Sequence, residues 1–125
     1  MEEKILLCVT GGIAAYKAID LASQLTKSSF AVKIALTKNA QKFVSALNFA
    51  AITNQSVHTE LFEDSDPIPH IHLADWADLT VVAPATANII AKAAQGIGDE
   101  LVSTILLSQP KPVLYVPAMN VQIYE

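Results

Sequence analysis

The sequence predicts a doubly wound α/β fold, a parallel sheet with helices on both faces, and three observations carry that expectation. Short runs rich in Val, Ile and Leu alternate with segments of helical periodicity along the chain. The runs lack polar alternation, as strands covered on both faces require. Four of the expected strand ends lead into small or polar residues, which right-handed crossovers gather on one rim beyond the carboxyl edge of the sheet.

Taken in order, the first run is Lys4 to Val9 (KILLCV), broken by Gly11-Gly12. Ala14, Ala18, Leu21 and Leu25 then share one stripe of a helix. A second strand is expected over Phe30 to Thr37, followed by a helix from about Ala40 to Ala50. Gln55 to Phe62 reads as a weak third strand or an irregular crossover. Pro67 and Pro69 mark a loop that carries His70 and His72 into a short amphipathic stretch around Leu73 to Ala77. Leu79 to Ala83 is the clearest buried strand. Thr86 is placed to cap a helix through Ile90 and Ala94, which Gly96 and Gly98 end. Asp99 is expected to cap a further helix with Leu101, Val102, Ile105 and Leu106 on one face. Pro110 and Pro112 bracket the turn into a last strand, Val113 to Val116.

Composition narrows the class. The 125 residues fit one domain; 52% are hydrophobic and 16% charged, so much apolar surface must be buried in the core or against other subunits. The net charge of −4 and the absence of a Lys/Arg cluster argue against nucleic acid or an anionic membrane as partner. No apolar run is long enough to span a bilayer, and the start lacks a basic n-region. The single cysteine, Cys8, excludes an internal disulfide and suits a reducing cytoplasm. The chain stops at Glu125, directly after the fifth expected strand, with no helix for that strand's second face. Either a neighbouring subunit covers that face or the natural product is longer; a C-terminal truncation is expected.

The expected rim consists of Thr10-Gly11-Gly12, Thr37-Lys38-Asn39, Pro84 to Asn88 and Pro117 to Asn120. Gly11-Gly12 permits a tight turn that brings backbone amides toward an anion. It lacks the third glycine of a dinucleotide fingerprint, and Lys17 is misplaced for a Walker A loop. Thr37, Asn39 and Thr86 read either as contacts to a phosphate or sugar or as helix caps. Two polar loops beside a Gly-Gly turn favour a flat phosphorylated cofactor. His58, His70, His72, Asp75 and Asp78 have no zinc spacing, and no metal is expected. His70 or His72 beside such a rim can serve as a base near neutral pH. Cys8 reads as a small buried hydrophobe, and Trp76 and Tyr124 as packing residues.

The segments TGGIAAYK (10–17), TKNAQKF (37–43), HIHLADWADL (70–79), APATANIIAKAAQGIGDELVS (83–103) and PAMN (117–120) together resemble the homo-oligomeric flavin-containing cysteine decarboxylases. Within that family they are most similar to the phosphopantothenoylcysteine decarboxylase domain of bacterial coenzyme A biosynthesis. The resemblance runs from Lys4 to Tyr124 and implies a Rossmann-like, flavodoxin-like fold with FMN as cofactor. It implies that Gly11, Gly12, Ile13, Thr37 and Asn39 lie at the phosphate or ribityl chain. Thr86, Ala87, Asn88 and Ala118 fall on the flavin side. His70 matches the family's active-site histidine, and His72 falls on a variable position. Asn120, with Met119 beside it, matches the asparagine that holds the substrate carboxylate.

The chemistry implied by the resemblance is an oxidation of the substrate's CH2–SH group to a thioaldehyde. That group then accepts the electrons released as carbon dioxide leaves, and an enethiolate results. In the coenzyme A branch a later reduction, using a cysteine on a C-terminal lid, yields the saturated thiol. This chain ends before such a lid, and Cys8 does not replace that cysteine. Ile89 stands where many relatives carry Thr, and Ile123 where they carry Met. The family implies trimers, or assemblies of trimers, with active sites between subunits. A peptidyl-cysteine decarboxylase of lantibiotic maturation and a non-catalytic flavin-binding subunit are the rival readings.

Overall fold

The computed structural model describes residues 3–60 and 68–117. The first apolar run forms strand β1 (Lys4–Val9), and a 3-10 turn over Ile13–Ala15 leads into helix α1 (Tyr16–Lys27). Ser29 takes left-handed backbone (φ 70°) and turns the chain into β2 (Ala31–Leu36). There follow α2 (Ala46–Thr53), β3 (Val57–His58), α3 (Pro69–Trp76), β4 (Leu79–Ala85), α4 (Ala87–Gln95), α5 (Leu101–Ser108) and β5 (Val113–Pro117). All strand pairs are parallel, in the order β3-β2-β1-β4-β5. The order reverses between β1 and β4, which makes that junction the topological switch point where such sheets bind ligands.

Alternation along the strands sorts the core into two layers. Ile5, Leu7 and Val9 of β1 point to one face with Val32, Ile34 and Leu36, where Ala15, Ala18, Ala22 and Phe49 cover them. Leu6 and Cys8 point to the other face, against Leu73, Ile89, Leu101, Val102 and Ile105. Helices therefore lie on both faces, as the unalternating apolar runs predict.

Four local expectations are corrected. The helix expected from about Ala40 to Ala50 is a 3-10 turn (Ala40–Lys42) followed by a separate helix α2. Ser45 divides them: its backbone is extended (φ −101°, ψ 134°) and its hydroxyl accepts from Leu47 N, starting α2. The third strand is only Val57–His58, and Leu61 and Phe62 lie outside the described residues. His70 and His72 stand on α3 rather than in a loop, because Pro69 occupies a first-turn position where its missing N–H costs nothing. Glu100, not Asp99, caps α5: its side chain accepts from Ser103 N while Ser103 Oγ accepts from Glu100 N.

Candidate active site at the switch point

β1 ends at a residue that ties the switch point together. The Thr10 hydroxyl, 2% exposed, donates to Pro84 O and accepts from Thr86 N at 3.3 Å. One side chain thus joins the ends of β1 and β4 across the sheet. Thr10→Val keeps the shape and removes both bonds, leaving buried backbone groups unpaired. We expect it to cost about 2 kcal/mol, read as a lower urea midpoint. An unchanged midpoint would mean that the groups at Pro84 and Thr86 find other partners.

Past Thr10, the chain turns at Gly11 against Asn39. A carbon added at Gly11 would lie 2.3 Å from Asn39 Nδ2 and 2.8 Å from Asn39 Cβ. At Gly12 the nearest atom would be Thr86 Cγ2, at 4.0 Å. The turns after β1, β2 and β4 therefore close on one another. A cleft of about 380 Å³ opens here, lined by Thr10, Gly11, Thr37, Asn39, Thr86 and Asn88, among others.

Thr37 and Thr86 both perform the capping that their positions allow. Thr37 Oγ1 accepts from Ala40 N at 3.0 Å, and Thr86 Oγ1 accepts from Ile89 N at 3.3 Å at the start of α4. An accepting hydroxyl keeps its own proton to donate. The first two amides of α4, at Ala87 and Asn88, have no intrahelical acceptor and face the end at which anions are stabilised. Ile89 is only 3% exposed and packs in the second core layer.

The charged edge of the cleft comes from Lys38, Lys92, Asp99 and Glu100. Lys92 Nζ lies 3.1 Å from Asp99 Oδ1, and this ammonium holds the Asp99 carboxyl below its usual range. Burial pushes the Glu100 carboxyl up, against the opposing pull of the nearby Ser103 and Lys38 amides. Burial also pushes the Cys8 thiol to about 12, so it stays protonated, an inert core residue as its position in β1 predicts.

A second cleft, of about 770 Å³, flanks the Gly11-Gly12 turn on the α1 side. Ile13, Ala14, Leu21, Ala83, Pro84 and Val116 give it a largely apolar wall. Polar donors on one side and apolar surface on the other suit a ligand with an anionic, hydroxylated end and a flat apolar end.

Tertiary contacts hold the C-terminal half of α3 in place. Leu73 and Ala74 are buried, and Lys33 Nζ lies 4.7 Å from the centre of the Trp76 ring. Lys111 Nζ donates to Asp75 O at 2.7 Å and Ala77 O at 2.8 Å, satisfying carbonyls at the helix's C-terminal end. Since α3 ends where β4 begins, its first turn stands at the carboxyl end of the sheet. His70 lies in that turn, and its Nδ1 is buried without a hydrogen-bond partner.

The structure thus brings Gly11, Thr37, Asn39, Thr86 and Asn88 into one cleft, with Gly12 at its margin. Ile13 lines the apolar cleft instead, Ala87 is exposed on the first turn of α4, and His70 lines neither cleft. Ala118, Met119, Asn120, Ile123 and Tyr124 lie outside the described residues. Sequence reasoning missed Glu100. The available signal was the Glu-x-x-Ser spacing at 100–103, a capping box with its two side chains exchanged. Among the described residues no group of His, Cys, Asp and Glu could hold a metal ion. No described helix is long and apolar enough to cross a membrane.

Comparison with known proteins agrees with this architecture. The chain is 50% identical over 123 residues to the coenzyme A biosynthesis bifunctional protein CoaBC of Bacillus subtilis, covering 97% of this chain and 30% of that protein. It therefore spans about a third of the length of such relatives. It is 42% identical over 129 residues to a probable phosphopantothenoylcysteine decarboxylase of Streptococcus mutans, covering 100% of this chain and 72% of that one. Among solved structures, the FMN-dependent cysteine decarboxylase TvaF from thioviridamide biosynthesis superposes with a TM-score of 0.91 at 30% identity. That match covers 98% of this chain and 77% of TvaF. The family model described as Flavoprotein matches residues 1–125, and the chain belongs to the Flavoprotein family.

Proposed function

We propose that this chain binds FMN and carries the decarboxylation of 4′-phospho-N-pantothenoylcysteine toward 4′-phosphopantetheine in coenzyme A biosynthesis. The observation that carries the reading is the switch-point cleft lined by Gly11, Thr37, Asn39, Thr86 and Asn88 in a chain of this family. The residues present fit the cofactor. Gly11, where Asn39 already takes the side-chain space, brings bare backbone to the cleft, and the lining offers hydroxyl, amide and helix N-terminal donors.

Gly11, Gly12, Ile13, Thr37 and Asn39 would hold the phosphate and ribityl chain, with Thr86, Ala87, Asn88 and Ala118 on the ring side. Bound FMN supplies two-electron oxidation of the cysteine CH2–SH group, the chemistry that lets a cysteine carboxylate leave as carbon dioxide. His70 holds and moves a proton at its imidazole, and Asn120 with Met119 fixes the carboxylate so that the breaking bond is aligned. We place the protein in the cytoplasm, which suits its single buried thiol, and expect a homotrimer or a multiple of one. Exposed Ile13, Leu47 and Leu114 support burial against other copies.

The similarity to the peptidyl-cysteine decarboxylase EpiD, with a TM-score of 0.84 at 25% identity, favours one second reading, decarboxylation of a cysteine within a peptide. The much higher identity to CoaBC, 50% against 25%, supports the order of the two. The first test is a visible spectrum of the purified chain with mass identification of any released cofactor. Bound FMN is the expected result, followed by carbon dioxide release from phosphopantothenoylcysteine rather than from a C-terminal peptidyl cysteine. A colourless chain that cannot be reconstituted with FMN would overturn the reading.

A further inference from the structure

Two lysines border the switch-point cleft, and they stand differently. Lys38 is exposed on the turn after β2. The Lys92 side chain keeps only 22% of its surface exposed, and its Nζ donates to Asp99 Oδ1 at 3.1 Å. The same oxygen accepts from Ser103 Oγ at 3.2 Å, while Asp99 N donates to that hydroxyl at 3.2 Å. Ser103 lies in the first turn of α5 and is 1% exposed. A chain of contacts thus runs from the buried face of α5 to the Lys92 ammonium.

The helix explains why that ammonium borders the cleft. Lys92 stands four positions after Asn88 on α4, and residues four apart share a helix face. Helical side chains lean toward the N-terminus, so the Lys92 stem runs back along the Asn88 face. Ile89, between them, turns into the second core layer instead. The lining agrees, since Asn88 and Lys92 border the cleft together with Gly11, Thr37 and Asn39.

As a surface ion pair, Lys92–Asp99 adds little to stability. Its value lies in placed charge. The Gly11-Gly12 amides and the Thr37 and Asn39 side chains offer hydrogen bonds but no net charge. The carboxylates of Asp99 and Glu100 also border the cleft, so an anion entering it needs a cation to offset them. An ammonium has three protons, and Asp99 takes one. A lysine already held at the edge loses less freedom on meeting an anion than exposed Lys38 does.

We propose that Lys92 is a binding residue for the cofactor's phosphate: Asp99 and Ser103 hold its ammonium at the edge of the cleft that Gly11, Thr37 and Asn39 line. The proposal rests on the FMN reading above and names the charge by which the site prefers a phosphorylated flavin to the bare one.

The test measures FMN and riboflavin affinity by fluorescence quenching for the wild-type chain, Lys92→Met and Lys92→Arg. The two flavins share the ring and ribityl chain, so the ratio of their affinities reads the phosphate alone. In Lys92→Met we expect FMN to bind about tenfold more weakly and riboflavin to stay within about twofold. Lys92→Arg keeps the charge and should keep most of the ratio. Added salt should narrow the ratio more in the wild type than in Lys92→Met. An unchanged ratio in Lys92→Met would overturn the proposal. Equal loss of both flavins would make Lys92 a structural tie between α4 and α5 and overturn the phosphate role. Should the methionine variant fail to fold, Lys92→Gln, polar but uncharged, decides by the same ratio. A wild-type chain that binds both flavins equally would overturn the phosphate role and leave the flavin reading standing. One that binds neither would overturn the flavin reading as well.

Discussion

Replacing His70 by Asn is expected to abolish carbon dioxide release while leaving flavin bound, a loss of about a hundredfold or more. The contacts that place α3 explain why the two readouts should separate. Leu73, Ala74, the Lys33–Trp76 stack and the Lys111 cap all lie C-terminal to His70. Among the described residues, the buried Nδ1 of His70 has no hydrogen-bond partner. Asn keeps a polar amide of similar reach but has no ionisable ring, so proton movement is lost while helix and cleft persist. Thermal stability should therefore change little, within about 0.5 kcal/mol. The measurement is a single-turnover assay of carbon dioxide release alongside the visible spectrum. Release at the wild-type rate would remove His70 from the chemistry. Loss of flavin together with release would assign it to binding instead.

Gly11→Ala is the second large effect, and it acts on the cofactor rather than on the reaction. The added carbon would come within 2.8 Å of the Asn39 Cβ, an atom too close to the backbone to move by rotating the side chain alone. Asn39 and its turn must shift, which opens the contact between the ends of β1 and β2. FMN affinity should drop about tenfold or more, as when a charge-assisted hydrogen-bond set is disrupted. Gly12→Ala provides the contrast, since its added carbon meets only Thr86 Cγ2 at 4.0 Å, an ordinary contact. Its flavin-free fold should be as stable as the wild type, whereas Gly11→Ala should lower the unfolding midpoint modestly. Fluorescence titration and urea unfolding on both variants decide this. Equal FMN affinity in Gly11→Ala and wild type would mean that the Gly11–Asn39 contact does not shape the cofactor site.

How much of this was legible in the sequence differs from element to element. β1 and β4 announce themselves because both of their faces are covered, so every residue of the two runs except Lys4 is apolar or small. Thr86 was readable as a cap because its residue type and the apolar run after it are both local signals. Pro69 was ambiguous: the residue that ends a helix in one context begins one in another, and only packing of Leu73 on the second core layer selects the helix. The division between the 3-10 turn and α2 was missed because Phe43 to Ser45 carries no glycine or proline. The break is instead made by the Ser45 hydroxyl competing for a backbone amide.

By itself, then, the sequence determined the alternation of strands and helices, the burial of Cys8, and which turns must gather at one end of the sheet. These follow from periodicity and residue chemistry, which act over a few neighbouring positions. The tertiary structure decided the strand order β3-β2-β1-β4-β5, the bridge from Thr10 to Pro84 and Thr86, and the contact of Gly11 with Asn39. Each of these joins residues separated by tens of positions. Their meeting depends on how whole elements stack across the sheet, and no local pattern encodes that distance.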